Sequence, residues 1–310
     1  MIQIKPKTAL AWIIALLPVC WTGCDEADLK TTPEEEGITF STTVTRAIES
    51  DLNQPGKSFG VFAQKTYDEL DYYPVFNNQQ VTYQEGGWTY APLKYWDKEA
   101  DYTFVAYYPY QENTQYVDNQ LTISDYDASA QVDLLATDRK TQPKGLTASL
   151  QFSFKHILTN VSIRIKKKDW EEAVTLNSFR FTGMKMAGTF RDNRTPEWEP
   201  AGNAYTGNLF ELPKAIELTD ENAFTALFAD KLMIPQPIGW DMLFTFTYTY
   251  DAILYTKEIR LLSKGLTDAW QTGKKITYSL TITPENILFE PIEVTPWGEG
   301  EGENIVVNPQ

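Results

Sequence analysis

The sequence predicts an all-β protein of the antiparallel sandwich type, and three observations predict it. Apolar residues recur at every second position in several long segments. Gly, Pro and Asn clusters punctuate those segments at short intervals. Aromatic residues make up 14% of the 310 residues, which suits pleated, half-buried surfaces better than helix faces. Long helical periodicity is hard to find, though a short helix is expected in the connection 219–230.

The first 24 residues read as an address. Lys5 and Lys7 give a short positive start, and residues 9–19 (ALAWIIALLPV) form an apolar run. Eleven residues are too few to span a bilayer, which takes about 20, and match the apolar region of a signal peptide. Gly23-Cys24 closes the run, and a small residue directly before Cys resembles a bacterial lipobox. Cys24 is therefore the expected lipidation site, with residues 1–23 removed. Cys20 follows Pro18-Val19 and has no small residue before it. Residues 24–37 form an acidic tether opening on Asp25, Glu26 and Asp28. Such a cluster resembles the surface-export signal of Bacteroidetes lipoproteins, and its composition also suits a solvated linker.

Charge and residue counts exclude several functions. The chain carries 27 basic and 42 acidic side chains, a net charge of −15. Removing residues 1–23 takes away two lysines and no acids, leaving 25 basic against 42 acidic, or −17. Such a chain is not built to neutralise phosphates, so no nucleic acid is expected as partner. Anionic headgroups repel it as well, so a lipid anchor must carry any attachment to the outer membrane. Both cysteines fall within the first 24 residues. The folded body therefore has no disulfide framework and no cysteine-based metal site.

The body alternates. Leu150, Phe152, Phe154, His156 and Leu158 share one face, and Val161, Ile163 and Ile165 share another. The parity change at Thr159-Asn160 calls for a bulge or a sharp bend. Phe244, Phe246, Tyr248 and Tyr250 form a third face, and Ile276, Tyr278, Leu280 and Ile282 a fourth. Each is expected to be half-buried with one wet side. Turn signals stand at 53–56 (NQPG), 85–87 (EGG), 143–145 (PKG) and 271–273 (QTG). One sandwich of some 270 residues would exceed the usual domain size of about 50–250 residues. Two are expected, at 38–148 and 149–310.

The conspicuous polar and aromatic residues read as structural. His156 is the one histidine and lies on an apolar strand face, so a core histidine is expected. Trp88, Tyr90, Tyr95 and Trp96 are expected to pack in the sheet rather than form a sugar platform, although Trp and Tyr suit either role. Asp68, Glu69 and Asp71, like Asp125 and Asp127, match no EF-hand loop and read as solvated. No nucleophile elbow, P-loop, HExxH or dinucleotide fingerprint occurs. No enzyme activity, metal or cofactor is expected.

An ordered set of segments resembles one family. It runs through 38–41 (ITFS), 45–47 (TRA), 56–63 (GKSFGVFA), 88–96 (WTYAPLKYW), 102–109 (YTFVAYYP) and 133–136 (DLLA). It continues through 152–158 (FSFKHIL), 278–282 (YSLTI) and 296–297 (PW). Together with the lipobox, the set resembles the fimbrillin (Mfa-like) family, the pilin subunits of Bacteroidia type V pili. The resemblance implies two transthyretin-like sandwich domains, delivery to the cell surface as a lipoprotein, and assembly with other fimbrillin subunits. It also implies a maturation step, in which an Arg-specific protease removes the lipidated segment and first strand. A neighbour's strand then fills the vacated groove. The matching bond here is Arg46-Ala47, and the removable strand would present Ile38, Phe40, Thr42 and Val44 on one face. A permanent first core strand fits the same pattern. The tail after Trp297 (GEGEGENIVVNPQ) offers Ile305, Val306 and Val307 either as a donor strand or as a last edge strand. The alternative function is a monomeric surface lipoprotein that binds a glycan or another host or bacterial surface ligand.

Overall fold

Alternation becomes strand wherever one side can be buried. The structure, a computed structural model, describes residues 36–44, 52–68, 71–297 and 305–307. The first strands are β1 (Phe40–Val44), β2 (Ser58–Thr66), β3 (Tyr72–Gln84), β4 (Gly87–Thr89) and β5 (Asp101–Tyr108). Next come β6 (Gln115–Val117), β7 (Gln120–Asp127), β8 (Leu135–Thr137), β9 (Lys140–Gln142) and β10 (Leu150–His156). The chain continues with β11 (Thr159–Lys167), β12 (Val174–Thr182), β13 (Ala187–Asp192), β14 (Pro196–Ala201) and β15 (Ile216–Leu218). Short β16 (Thr225–Ala226) and β17 (Lys231–Met233) precede the hairpin of β18 (Leu243–Tyr250) and β19 (Ile253–Arg260). Last are β20 (Lys274–Ile282), β21 (Ile287–Phe289), β22 (Ile292–Pro296) and β23 (Ile305–Val307).

Four sheets result. The largest runs β1-β10-β8-β5-β2-β3-β4, with β9 also on β5. A second runs β16-β11-β20-β22-β23, with β17 on β11 and β21 on β20. The third is β15-β12-β18-β19 and the fourth β14-β13-β7-β6. The fold is all-β, as expected. Among the described residues two pairings are parallel, β1 with β10 and β11 with β20.

The hairpin of β3 and β4 turns on Glu85 and Gly86, whose φ values are 49° and 85°. Positive φ at both central residues is what a tight hairpin of this twist requires. The parity change before Val161 proves to be a bend between sheets. β10 ends in the first sheet, the buried Ile157 and Leu158 cross over, and β11 opens in the second. Residues 150–156, placed by the sequence at the start of the second domain, thus complete the first sheet. The connection 219–230 is not helical and contains β16 instead. Its residues pair with β11, so sheet pairing overrides local preference there.

Two apolar cores form. One packs Phe40, Phe59, Phe76, Phe104, Phe152 and Phe154 on one side of the first sheet. The opposite side of that sheet contributes Phe62, Val105 and Tyr107 to a larger core. That core continues through Leu121, Ile123 and Phe190 to Ile163, Phe181, Phe244 and Tyr278.

Candidate functional site

The candidate site is the N-terminal strand and the groove that holds it. Before β1 the chain pairs with the segment after Tyr90. Ile38 N donates to Lys94 O at 2.8 Å, and Trp96 N donates to Glu36 O at 3.0 Å. The chain then crosses to β10, where Leu150 N donates to Thr39 O at 2.9 Å. From there Phe40 to Val44 run parallel to Leu150 to Phe154. Among the described residues β1 has one ladder partner and ends its sheet, with β4 close beside it.

Side chains grip what the ladder does not. Ile38 and Phe40 are buried. The Phe40 ring lies 5.5 Å from Phe152 and from Tyr90, 5.7 Å from Phe76 and 6.0 Å from Phe59. Tyr90 Oη donates to Ile38 O at 2.8 Å, and burial pushes that phenol's pKa up. Thr42 Oγ1 accepts from Trp88 Nε1 at 3.1 Å and donates to Asn53 Oδ1 at 3.1 Å. The sequence thus anticipated Ile38, Phe40 and Thr42 as one face. It missed Trp88, Tyr90 and Asn53 as their partners, and nothing in local spacing signals a contact across 46 positions.

Val44 keeps its backbone place opposite Phe154. Arg46, Ala47, Cys20, Cys24, the acidic tether up to Glu35 and Glu69 lie outside the described residues. Trp96 is buried and Trp88 and Tyr90 are half-buried against the first core, while Tyr95 is exposed. Asp127 caps a short turn, accepting from Ser129 N at 2.8 Å, and Asp68 Oδ1 accepts from Asp71 N at 3.3 Å. Among the described residues no group of three His, Cys, Asp or Glu is placed to hold a metal.

His156 is buried, as a core histidine should be. Its ring stacks on Trp297 with centroids 3.5 Å apart, and its Nδ1 lies 2.6 Å from Asp133 Oδ2. That approach is off the hydrogen-bonding direction, so it is a close polar contact rather than an aligned bond. Burial raises the Asp133 pKa, and the imidazole opposes that rise. At the other end of the chain, β23 pairs antiparallel with β22, Val294 opposite Ile305. Among the described residues no helix is long and apolar enough to cross a membrane.

The chain is all-β, and its first strand fills a core while lying at the end of its sheet. The chain belongs to the fimbrillin-like family, whose model matches residues 45–297. This is a fimbrial, cell-surface family of structural proteins. Solved structures share the fold. A fimbrial protein from Bacteroides vulgatus aligns with TM-score 0.59 and 19% identity, over 84% of this chain and 99% of its own. A candidate cell adhesion protein from Bacteroides uniformis aligns with TM-score 0.51 and 19% identity, over 85% and 100%. Another from Bacteroides ovatus gives 0.52 and 16%, over 85% and 98%. No curated protein matches the sequence.

Proposed function

We propose that this chain is a structural and adhesive subunit of a cell-surface pilus that assembles by strand addition. The observation that carries the reading is the state of β1, which fills the first core with Phe40 but has one sheet neighbour among the described residues. Removing it would bare the Phe59, Phe76 and Phe152 rings and the β10 backbone edge. Each buried backbone group left unpaired costs roughly 1–3 kcal/mol. A vacated groove therefore demands a replacement, and an extended strand with alternating apolar side chains is what fits. The replacement comes from another fimbrillin subunit, its own or a related one. In this reading Cys24 is the lipidated residue that brings the chain to the outer membrane. The bond Arg46-Ala47 is the one cut.

Trypsin-like protease applied to the folded protein is expected to nick first at Arg46 and to yield SDS-resistant ladders. Arg46→Ala should abolish both. Ladders from the Arg46→Ala protein, or a cut protein that stays monomeric at high concentration, would remove the assembly reading. Cys24→Ala is expected to release the chain from the detergent phase; a variant that still partitions like the parent would overturn the anchor.

A further inference from the structure

A cleft of about 560 Å³ opens beside the crossover from β10 to β11. Its walls include Phe154, Lys155 and His156 of β10, Asp192 at the end of β13, Lys274 at the start of β20, and Trp297. An adjoining cleft of about 330 Å³ shares Thr137, Asp138, Asp192 and Pro196 with it. Small-molecule sites typically enclose roughly 300–1,000 Å³. Two linked compartments of these sizes give room for a ligand of two rings.

The cleft holds polar groups with unfilled needs. Asp192 Oδ1 is buried without a hydrogen-bond partner, and so is His156 Nε2. Buried polar atoms are normally satisfied, so two such atoms on one cleft point to a partner from outside the chain. Lys275 is paired with Asp230 at 2.5 Å, while Lys274 has no ion pair among the described residues. The cleft therefore offers a cationic donor and a carboxylate acceptor together.

The charge pattern selects the ligand class. Lys155 and Asp138 on its wall pair with each other at 2.5 Å, which leaves the Lys274 ammonium and the Asp192 carboxylate facing the same cleft. A ligand with net charge of either sign meets its like on one wall. An uncharged ligand whose groups both donate and accept meets no such penalty. Pro196, Pro296 and the half-buried Trp297 supply apolar surface for flat C–H faces. A peptide strand fits less well, because the local backbone edges are taken. Lys155 and His156 pair with Ala136 and Leu135, and Lys274 and Lys275 pair with Pro296 and Thr295.

We propose that this cleft binds a short neutral saccharide, with Asp192 and Lys274 hydrogen-bonding its hydroxyls beside Trp297. None of its lining residues belongs to β1, so the site does not rest on the assembly reading. The test is saturation-transfer NMR on the uncut, monomeric full chain with maltose, lactose, cellobiose and diacetylchitobiose. At least one is expected to bind with Kd near or below about 1 mM. Asp192→Asn and Lys274→Met, each with a parent-like unfolding midpoint, should weaken it at least about tenfold, a difference of about 1.4 kcal/mol. No transfer to any of the four sugars would overturn the proposal, as would binding that both variants leave unchanged. Lys274-dependent binding of tri-alanine in their place would make the cleft a peptide site and overturn it equally.

Discussion

Phe40 shows how much one side chain can hold. Its ring touches aromatic residues from β2, β3, β10 and the segment after β4. Truncating a buried Phe to Ala typically costs about 3–5 kcal/mol. Phe40→Ala is therefore expected to lose stability in that range, read as a lower urea midpoint, with β-rich circular dichroism retained before the transition. A loss below about 1 kcal/mol would mean that the groove closes without its first strand. A second residue sets an acid limit. Asp97 accepts from Lys65 Nζ at 2.8 Å, from Tyr67 Oη at 2.6 Å and from Glu99 N at 3.1 Å. These partners, Lys65 first, hold its carboxyl at about 2 against an ordinary 3.8. A depressed folded pKa means that the stabilisation is present above about pH 4 and is lost as the pH falls through 2. The pair is partly exposed, so its worth is below about 1 kcal/mol. Asp97→Asn should flatten the stability-against-pH curve between pH 4 and 2 and leave the slope above pH 5 unchanged. An unchanged slope between pH 4 and 2 would remove Asp97 from the acid response.

At the scale of elements, period 2 was legible and neighbours were not. β10 alternates buried and exposed along its length as its sequence predicts, and Phe244, Phe246 and Tyr248 point inward from β18. β20 departs from expectation, because Thr277, Ser279 and Thr281 on its supposed wet side are buried as well. The strand lies inside its sheet, between β11 and β22. Arg164 Nε donates to Ser279 Oγ at 2.7 Å, and Thr281 Oγ1 donates to Glu290 Oε1 at 2.6 Å, so long side chains from neighbours cover it. Such cover comes from strands and loops whose positions no local pattern states. The same holds for β1. Its apolar face could be read from Ile38, Phe40 and Thr42, but its parallel register against β10 depends on a segment more than 100 positions away. His156 was legible as a core residue. Its partners Asp133 and Trp297 were not, since each comes from a separate connection off the strand. Arg46 and Cys24 rest on sequence motifs alone.

For the whole molecule, the question is whether the two expected domains fold separately. Residues 36–310 cluster as one compact unit. The pairing of β7 with β13 explains why, since it joins Ile123 to Phe190 and Asp127 to Ala187 across the chain's midpoint. The larger core likewise takes Phe62, Val105 and Tyr107 from the first sheet and Phe181 and Phe244 from the third. Polar ties cross the same seam. Gln131 Nε2 donates to Leu232 O at 3.0 Å and Gln131 Oε1 accepts from Leu232 N at 3.0 Å, while Trp198 Nε1 donates to Ile157 O at 2.8 Å. We therefore propose two lobes that meet at Ile157-Leu158, each leaning on the other, in place of a boundary near residue 148. A split there would leave β13 with an unpaired edge and expose the apolar side of β7, at roughly 25 cal/mol for each Å² uncovered. Urea unfolding followed by tryptophan fluorescence and by far-ultraviolet circular dichroism is expected to give one coincident transition. Residues 36–156 and 157–310 expressed separately should each fail to reach a folded, protease-resistant state, and should gain resistance when mixed. Two separated transitions, or a half that resists protease alone, would restore independent domains. Strand exchange at β1 would then concern the first domain alone, whereas a coupled molecule must register it in both lobes.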